Sequence, residues 1–318
     1  MGHVLRWGQS AYETDADLAL ERAGAEELGW TWSCEPDPRR VPADLARADF
    51  LTVTSKVRVD EAALAAFPGE VVLTTTSGVD HIDLGAADRQ QIVVGRCPVA
   101  RRDAVIEQAL GGLIWGMRQM PALDQAASAG EWARSALPAL APRGIAGSTI
   151  VVVGLGVIGS RMAETLFAMD AHVRGVDPFV AGHPLGGWSL ADALIGADAV
   201  TMHCGLTPSS KRLLSAALLE TLPAHAVVVN TARGDVLDVA AATAGVRVGR
   251  LRAVSCDVFP QEPHGAMADA SYPAVQYTPH SAGFTHDLGR RVASEVLQGL
   301  RQWSTTRTLP YRVRAPRS

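Results

Sequence analysis

Ile150-Val-Val-Val-Gly-Leu-Gly-Val-Ile-Gly159 is the stretch that decides how this chain is read. Ile150 to Val153 is an unbroken β-branched run, the pattern of a strand buried on both faces. A turn with glycines at 154, 156 and 159 follows, and Ser160 to Met169 reads as a helix. Next comes a second strand, His172 to Val176, ending on Asp177. Each part has a physical task. Gly154 permits the tight turn, Gly156 lets a pyrophosphate approach the backbone, and Gly159 lets helix and strand pack closely. The helix N-terminus offers free N–H groups and partial positive charge to phosphates. Asp177, 18 residues beyond Gly159, is placed to accept hydrogen bonds from a ribose diol. A 2′-phosphate would meet that negative charge. Pro178 and Phe179 supply no cation, and Arg174 precedes the strand end, so NAD is preferred over NADP. A glycine-rich turn that binds nothing is the bland alternative, and strand, helix and acid at their proper distances outweigh it.

The glycine turn begins near residue 150, so a separate α/β unit of about 100 residues comes first. There Asp15 to Leu28 reads as an amphipathic helix and Asp49 to Thr54 as a strand. Asp60 to Phe67 reads as a helix stopped by Pro68-Gly69, and Val71 to Thr75 as a strand leading into Thr76 to Asp80. Gln91 to Val94 is read as a strand, Asp103 to Gln119 as a helix, and Ala122 to Gly147 as short helices and loops. Beyond the glycine turn the alternation resumes. The strand Ala199 to Met202 precedes the helix Ser210 to Leu222. The strands Ala226 to Val229, Ala253 to Val258 and Val275 to Thr278 follow, then a closing helix from Thr285 to Trp303. Alternating strands and helices argue for parallel sheets with helices on their faces.

Composition narrows the function classes. The 318 residues are 47% apolar and 19% charged, with a formal net charge of −4. That is a globular composition of about two domains. It carries no basic footprint for nucleic acid, and no apolar run reaches the roughly 18 residues of a membrane span. Met1 to Arg6 lacks the apolar core of a secretory signal. Cys34, Cys97, Cys204 and Cys256 are far apart, which fits thiols in a reducing cytoplasm and gives no metal site.

Three later segments carry chemistry-bearing side chains just past strands: Arg233 in Val229 to Asp235, Asp257 and Glu262 in Cys256 to Pro263, and His280 in Thr278 to Gly283. In an open parallel sheet ligands bind beyond the C-terminal strand ends, so the three could converge on a nicotinamide. Each also has a plain reading: an ion pair of Arg233 with Asp235, a loop charge at Glu262, a satisfied histidine at 280. His203, behind an apolar strand, reads as structural or cofactor-adjacent, and His81 is assigned no chemistry.

Several motifs in order, along most of the chain, resemble the NAD-dependent D-isomer-specific 2-hydroxyacid dehydrogenases. They are Ser77-Gly-Val-Asp-His-Ile-Asp83, the glycine turn with Asp177, Leu206-Thr-Pro208, Asn230-Thr-Ala-Arg-Gly234, Asp257-Val-Phe with Glu262-Pro263, and Thr278-Pro-His280 with Thr285. The resemblance implies Arg233, Glu262 and His280 as catalytic residues. It implies cofactor contacts at Gly154, Gly156, Val157, Ile158, Gly159, Asp177, Thr207, Thr231, Ala232, Asp257, His280 and Gly283, with Asp257 at the nicotinamide carboxamide. It implies Ser77, Gly78, Val79 and Arg233 at the substrate carboxylate. The chemistry agrees. Reducing a 2-oxo acid needs a hydride at carbon and a proton at oxygen; His280 can supply the proton. Glu262 would favour the charged imidazole, and Arg233's planar fork suits a carboxylate.

The fold this implies has two Rossmann-like or flavodoxin-like lobes with parallel sheets. A nucleotide domain, 99–284, is inserted into a discontinuous substrate domain, 1–98 and 285–318. The expected activity is hydride transfer between NAD(H) and a small 2-oxo acid or D-2-hydroxy acid of the glyoxylate or hydroxypyruvate kind, in a cytoplasmic homodimer paired through the nucleotide domain. The alternative is an NAD-sensing binding module resembling corepressors, which the full Arg-Glu-His set disfavours. Arg101 and Arg102 stand where many relatives carry small or neutral residues. One of them is read either as a contact for a second anionic group on the substrate or as part of a solvated basic loop.

Overall fold

The structure, a computed structural model, describes residues 2–263 and 272–313. The chain divides into two units, Met1–Arg101 with Phe284–Ser318, and Arg102–Gly283. The first unit holds β1 (His3–Trp7), α1 (Asp15–Glu27), β2 (Thr31–Glu35), β3 (Phe50–Val53), α2 (Glu61–Ala66), β4 (Val71–Thr74), α3 (Leu84–Arg89) and β5 (Val93–Arg96). The long helix α4 (Val99–Met117) starts in this unit and continues in the second. The second unit adds α5 (Met120–Ser128), α6 (Leu137–Leu140), β6 (Thr149–Val153), α7 (Val157–Ala168), β7 (His172–Val176) and α8 (Leu190–Leu194). It goes on through β8 (Ala199–Met202), α9 (Ala216–Leu219), β9 (Val227–Asn230), α10 (Val239–Arg247), β10 (Ala253–Cys256) and β11 (Val275–Tyr277). Finally α11 (Leu288–Thr306) and β12 (Arg312–Val313) return to the first unit.

Each unit is built on a six-stranded sheet, ordered β2-β1-β3-β4-β5-β12 in the first and β7-β6-β8-β9-β10-β11 in the second. All pairings are parallel except β12 on β5. The sheets are thus parallel as expected, with the two-residue β12 added antiparallel at one edge. In both sheets the strand order reverses beside the first strand, at β1/β3 and at β6/β8, and such switch points open a crevice at the C-terminal strand ends. The central strands are fully buried, as their apolar runs require: Val71 to Thr74 and Val227 to Asn230 are buried at every position. The faces of the first sheet pack against α1 and α11 on one side, with Leu288, Val292, Val296, Leu300 and Trp303 closing over Val4, Phe50, Val71 and Leu73.

Several boundaries differ from the sequence reading. The strand expected at Gln91–Val94 is β5, two residues later, because Gln91 takes a left-handed φ of +59° and closes α3. The helix expected from Asp103 begins at Val99: Pro98 precedes it, and the Glu295 carboxylate accepts the Val99 and Ala100 N–H groups at 3.0 and 2.7 Å. The helix expected over Ser210–Leu222 shrinks to α9. Arg212 is left-handed at φ +49°, and Leu214 pairs with Leu237 as an isolated bridge. The helix after the glycine turn starts at Val157 rather than Ser160, with Gly156 at its N-cap. The strand read as Ala253–Val258 stops at Cys256, and the closing helix runs Leu288–Thr306 rather than Thr285–Trp303. Among the described residues no helix is long and apolar enough to cross a membrane, and no cluster of His, Cys, Asp or Glu is placed to hold a metal ion.

Candidate active site

The glycine turn lies between β6 and α7, at the switch point of the second sheet. Gly154 is left-handed at φ +91°, and a Cβ there would stand 2.6 Å from the Cys204 backbone nitrogen. A Cβ on Gly159 would fall 1.7 Å from the Gly154 carbonyl oxygen. These two glycines are required by the fold itself. Gly156 differs: it is exposed, its backbone is extended, and a Cβ would meet nothing within 4 Å. No steric constraint of the protein accounts for a glycine there, which fits a group approaching from outside. Val157 and Ile158, half-buried, open α7 and follow that gap.

Asp177 ends β7. Its Oδ2 accepts the Leu155 N–H at 2.8 Å and its Oδ1 the Phe179 N–H at 2.9 Å, which ties the acid to the glycine turn. Arg174 is directed elsewhere. It donates to the Ala193 and Ile195 carbonyls and stacks 4.8 Å over the Trp188 ring, so the nearby cation is already committed. Beyond β8, Thr207 N donates to Ser210 Oγ at 2.7 Å. Beyond β9, the Thr231 hydroxyl is buried with no hydrogen-bond partner among the described residues. Ala232 N donates to Asn230 Oδ1 at 3.0 Å, and Asn230 Nδ2 to the Arg233 carbonyl at 2.9 Å. Asn230 is fully buried and shapes the whole Thr231–Arg233 bend. The sequence reading gave it no role, although an amide closing an apolar strand was the available signal. The open face of Gly156 and the orphan hydroxyl of Thr231 fit a dinucleotide.

His203 follows β8, with its Nε2 at 2.9 Å from Thr201 Oγ1 and its Nδ1 buried without a partner. Burial pushes its pKa down to about 4, so the ring is neutral at neutral pH and acts as packing under the turn.

The acid–base pair lies beyond β10 and β11. His280 Nδ1 is 2.6 Å from Glu262 Oε2. Glu262 Oε1 accepts the Phe259 N–H at 2.9 Å. Partial burial works to raise the Glu262 pKa, but His280, the Phe259 N–H and the charge of Arg233 outweigh it and hold the carboxyl below its usual value. The pair is half-exposed, with side-chain exposures of 51% for His280 and 34% for Glu262, so it can be reached from outside. With Nδ1 committed, Nε2 is the nitrogen with no partner among the described residues. His280 has a left-handed φ of +53°, an uncommon setting for a non-glycine residue, and the loop around it is tightly held. His280 N donates to the Asp257 carbonyl at 2.8 Å. The Asp257 carboxylate accepts Thr278 Oγ1 at 2.5 Å, Ser281 N at 2.8 Å and Ala282 N at 2.9 Å. Asp257, only 2% exposed, therefore latches the histidine loop, a task the sequence reading did not assign. A nicotinamide carboxamide would have to share its oxygens. Gly283 ends this loop.

Arg233 caps a short 3₁₀ turn, Gly234–Val236, and donates from Nη1 to the Ala232 carbonyl at 2.7 Å. Gly234 lets this turn meet the Phe259 backbone, where a Cβ would stand 1.9 Å away. The second unit thus joins Glu262 and His280 directly and brings the field of Arg233 to bear on them. Ser77, Gly78 and Val79 belong to the first unit, beyond β4, where Arg96 Nη1 donates to the Ser77 carbonyl at 3.2 Å.

Known proteins resemble this chain in sequence and in fold. Residues 110–282 match the family described as D-isomer specific 2-hydroxyacid dehydrogenase, NAD binding domain. D-3-phosphoglycerate dehydrogenase of Mycobacterium bovis is 32% identical over 278 residues, covering 85% of this chain and 52% of the relative. The chain thus spans about half the length of such relatives. (S)-sulfolactate dehydrogenase of Chromohalobacter salexigens is 30% identical over 277 residues, 84% of this chain and 88% of the relative. The fold is shared with D-lactate dehydrogenase of Aquifex aeolicus, solved with NAD and lactic acid, at a TM-score of 0.78 and 20% identity over 99% of this chain and 100% of that one.

Proposed function

This chain belongs to the D-isomer specific 2-hydroxyacid dehydrogenases, and from that premise we propose that it interconverts a small 2-oxo acid and its 2-hydroxy acid, with NAD(H) as hydride carrier. The observation that carries the proposal is the Glu262–His280 contact of 2.6 Å, with the other Glu262 oxygen fixed on the Phe259 N–H. A carboxylate held this way orients the imidazole and stabilises its charged form. His280 Nε2 then hands a proton to the carbonyl oxygen in reduction and takes it back in oxidation. Arg233 binds the substrate carboxylate through its planar donors and polarises the neighbouring carbonyl. Asp257 holds the loop so that the imidazole does not swing. The turn at Gly154–Gly159, with Asp177, Thr207, Thr231 and Ala232, orients the dinucleotide, which when bound supplies the hydride. Ser77 to Val79 are assigned to the substrate carboxylate. With Arg174 engaged elsewhere, Asp177 favours NAD over NADP.

Glyoxylate and hydroxypyruvate head the substrate panel. The names of the relatives add phosphorylated and sulfonated three-carbon acids to it. Loss of NADH absorbance against this panel tests the activity. His280→Ala should lower kcat by about 10²–10⁴-fold while NADH still binds; reduction at the parent rate across neutral pH would remove His280 from the mechanism. The proposed assembly is a homodimer through the nucleotide domain, supported by residues 120–140. There α5, α6 and the turn between them bury no residue, and Met120 and Trp132 are 48% and 85% exposed. Sedimentation should give twice the chain mass, and a monomer for Trp132→Glu. The four cysteines are free thiols, consistent with a cytoplasmic setting.

A further inference from the structure

In the first unit the switch point falls between β1 and β3, and ligands gather at such points beyond the C-terminal strand ends. The residues there are the β1–α1 connection with Tyr12, Thr54 after β3, Thr75 after β4, and Arg101 in the first turn of α4. Arg101 donates from Nη1 to the Thr75 carbonyl and from Nη2 to the Tyr12 hydroxyl, and its guanidinium lies 5.0 Å over the Tyr12 ring. Both acceptors are neutral. No carboxylate among the described residues forms an ion pair with it, and Glu295, the acid at this helix end, is turned onto the Val99 and Ala100 N–H groups. A half-buried guanidinium without a counter-ion carries a desolvation cost that an anion would relieve.

The site around it is built rather than accidental. Tyr12 is gripped from two sides. Its ring meets Phe284 edge-on at 5.2 Å. The adjacent Glu13 is buried in an ion pair with Arg6 and accepts the Ser10 N–H at 2.7 Å. Thr54 and Thr75 are fully buried, yet neither hydroxyl has a hydrogen-bond partner among the described residues, and the buried Ser77 hydroxyl also lacks one. One fixed cation and three unsatisfied hydroxyls sit on neighbouring strand ends of one sheet.

We infer that Arg101, positioned by Tyr12 and Thr75, is a specificity residue that binds a second anionic group on the substrate, so that the preferred substrates are 2-oxo acids bearing an anionic group besides the 2-oxo carboxylate. The inference rests on the dehydrogenase reading above and narrows its substrate class. Arg102 plays no such part, since it forms an ion pair with Asp103 at 2.9 Å.

The test uses matched pairs: pyruvate against 3-sulfopyruvate, hydroxypyruvate against 3-phosphohydroxypyruvate, and 2-oxobutanoate against oxaloacetate. The parent enzyme should favour, in kcat/KM, the member of each pair that carries the second anionic group. Arg101→Met should lower that preference roughly 10- to 100-fold, the range expected for one charge-assisted hydrogen-bonded contact. Arg101→Lys should restore part of it, and Tyr12→Phe should show a smaller loss, expressed in KM rather than kcat. Circular dichroism of each variant confirms folding, and NADH binding by fluorescence reads the nucleotide site separately. An unchanged preference in folded Arg101→Met overturns the inference while leaving the dehydrogenase reading standing. A parent enzyme that reduces none of the six acids with either nicotinamide cofactor overturns both.

Discussion

The two units thread their sheets in the same order around a switch point, yet differ in what crosses it. In the second unit three residues, Gly154–Gly156, join strand to helix; in the first, seven residues, Gly8–Thr14, do so. The short connection brings the first turn of α7 up against the end of β6, so backbone N–H groups are what the crevice offers, a surface suited to phosphate. The longer one has room to fold back and carry side chains, so the crevice of the first unit offers Tyr12 and the cation fixed on it. One topology thus supports two kinds of recognition, and connection length selects between them.

The largest expected break in this contrast is Gly159→Val. A Cβ there collides with the Gly154 carbonyl, so the variant should lose NADH binding and most stability of the second unit, read by fluorescence titration and thermal melting. Gly156→Ala is its control: with open space around the new methyl, the melting temperature should hold while NADH affinity drops about tenfold, a difference of about 1.4 kcal/mol. If both variants bind NADH like the parent, the turn is not the nucleotide site.

Arg6→Met should disrupt the first unit alone. Arg6 is fully buried between Glu13 at its Nη2 and Glu21 at 3.0 Å from its Nη1. Removing one partner of a buried ionic group costs about 3–5 kcal/mol, so urea unfolding should shift by that amount while NADH affinity stays near the parent value. A shift below about 1 kcal/mol would mean the carboxylates neutralise and the cluster is not holding the Gly8–Thr14 connection.

A smaller effect lies in the second unit and depends on pH. His203 titrates at about 4 in the folded chain against about 6.5 when unfolded, so the unfolded state takes up the proton first as pH falls. Its contribution is complete above about pH 6.5, declines as pH drops toward 4, and changes no further below that. The window is worth about 3.4 kcal/mol at most. His203→Gln should flatten the stability profile there, and an unchanged slope would show that the folded ring takes up its proton at the same pH as the unfolded chain.

Most strands of the two sheets were readable because β-branched runs bounded by polar turns leave little choice of structure, as in Val71–Thr74 and Ile150–Val153; β1 and β2 were given no bounds. The Glu262–His280 contact came from recognisable motifs beyond strand ends. What escaped depends on distant partners. Nothing near Val99 announces a helix start whose N–H groups are accepted by Glu295, 195 to 196 positions away. The two-residue strand β12 has no pattern of its own and exists through pairing with β5. The helix α10 was not placed, because Val239–Arg247 is short and alanine-rich and its start is marked only by Asp238, whose cap on the Ala241 N–H shows in the fold. Asp257 was read only as a cofactor contact, and its hold on the loop escaped because only the fold reveals the Ser281 and Ala282 N–H groups it accepts.

The return of α11 to the first unit has a consequence for biosynthesis. Val4, Phe50, Val71 and Leu73 are sealed by Leu288, Val292, Val296 and Trp303, but the ribosome makes all of Arg102–Gly283 in between. At ~5–20 residues per second, that greasy sheet face waits on the order of 10–40 s for its lid, a window in which a holdase chaperone has something to grip. Nascent chains arrested shortly after Gly283 should crosslink to such a holdase through the first hundred residues, and chains arrested after α11 has emerged should not.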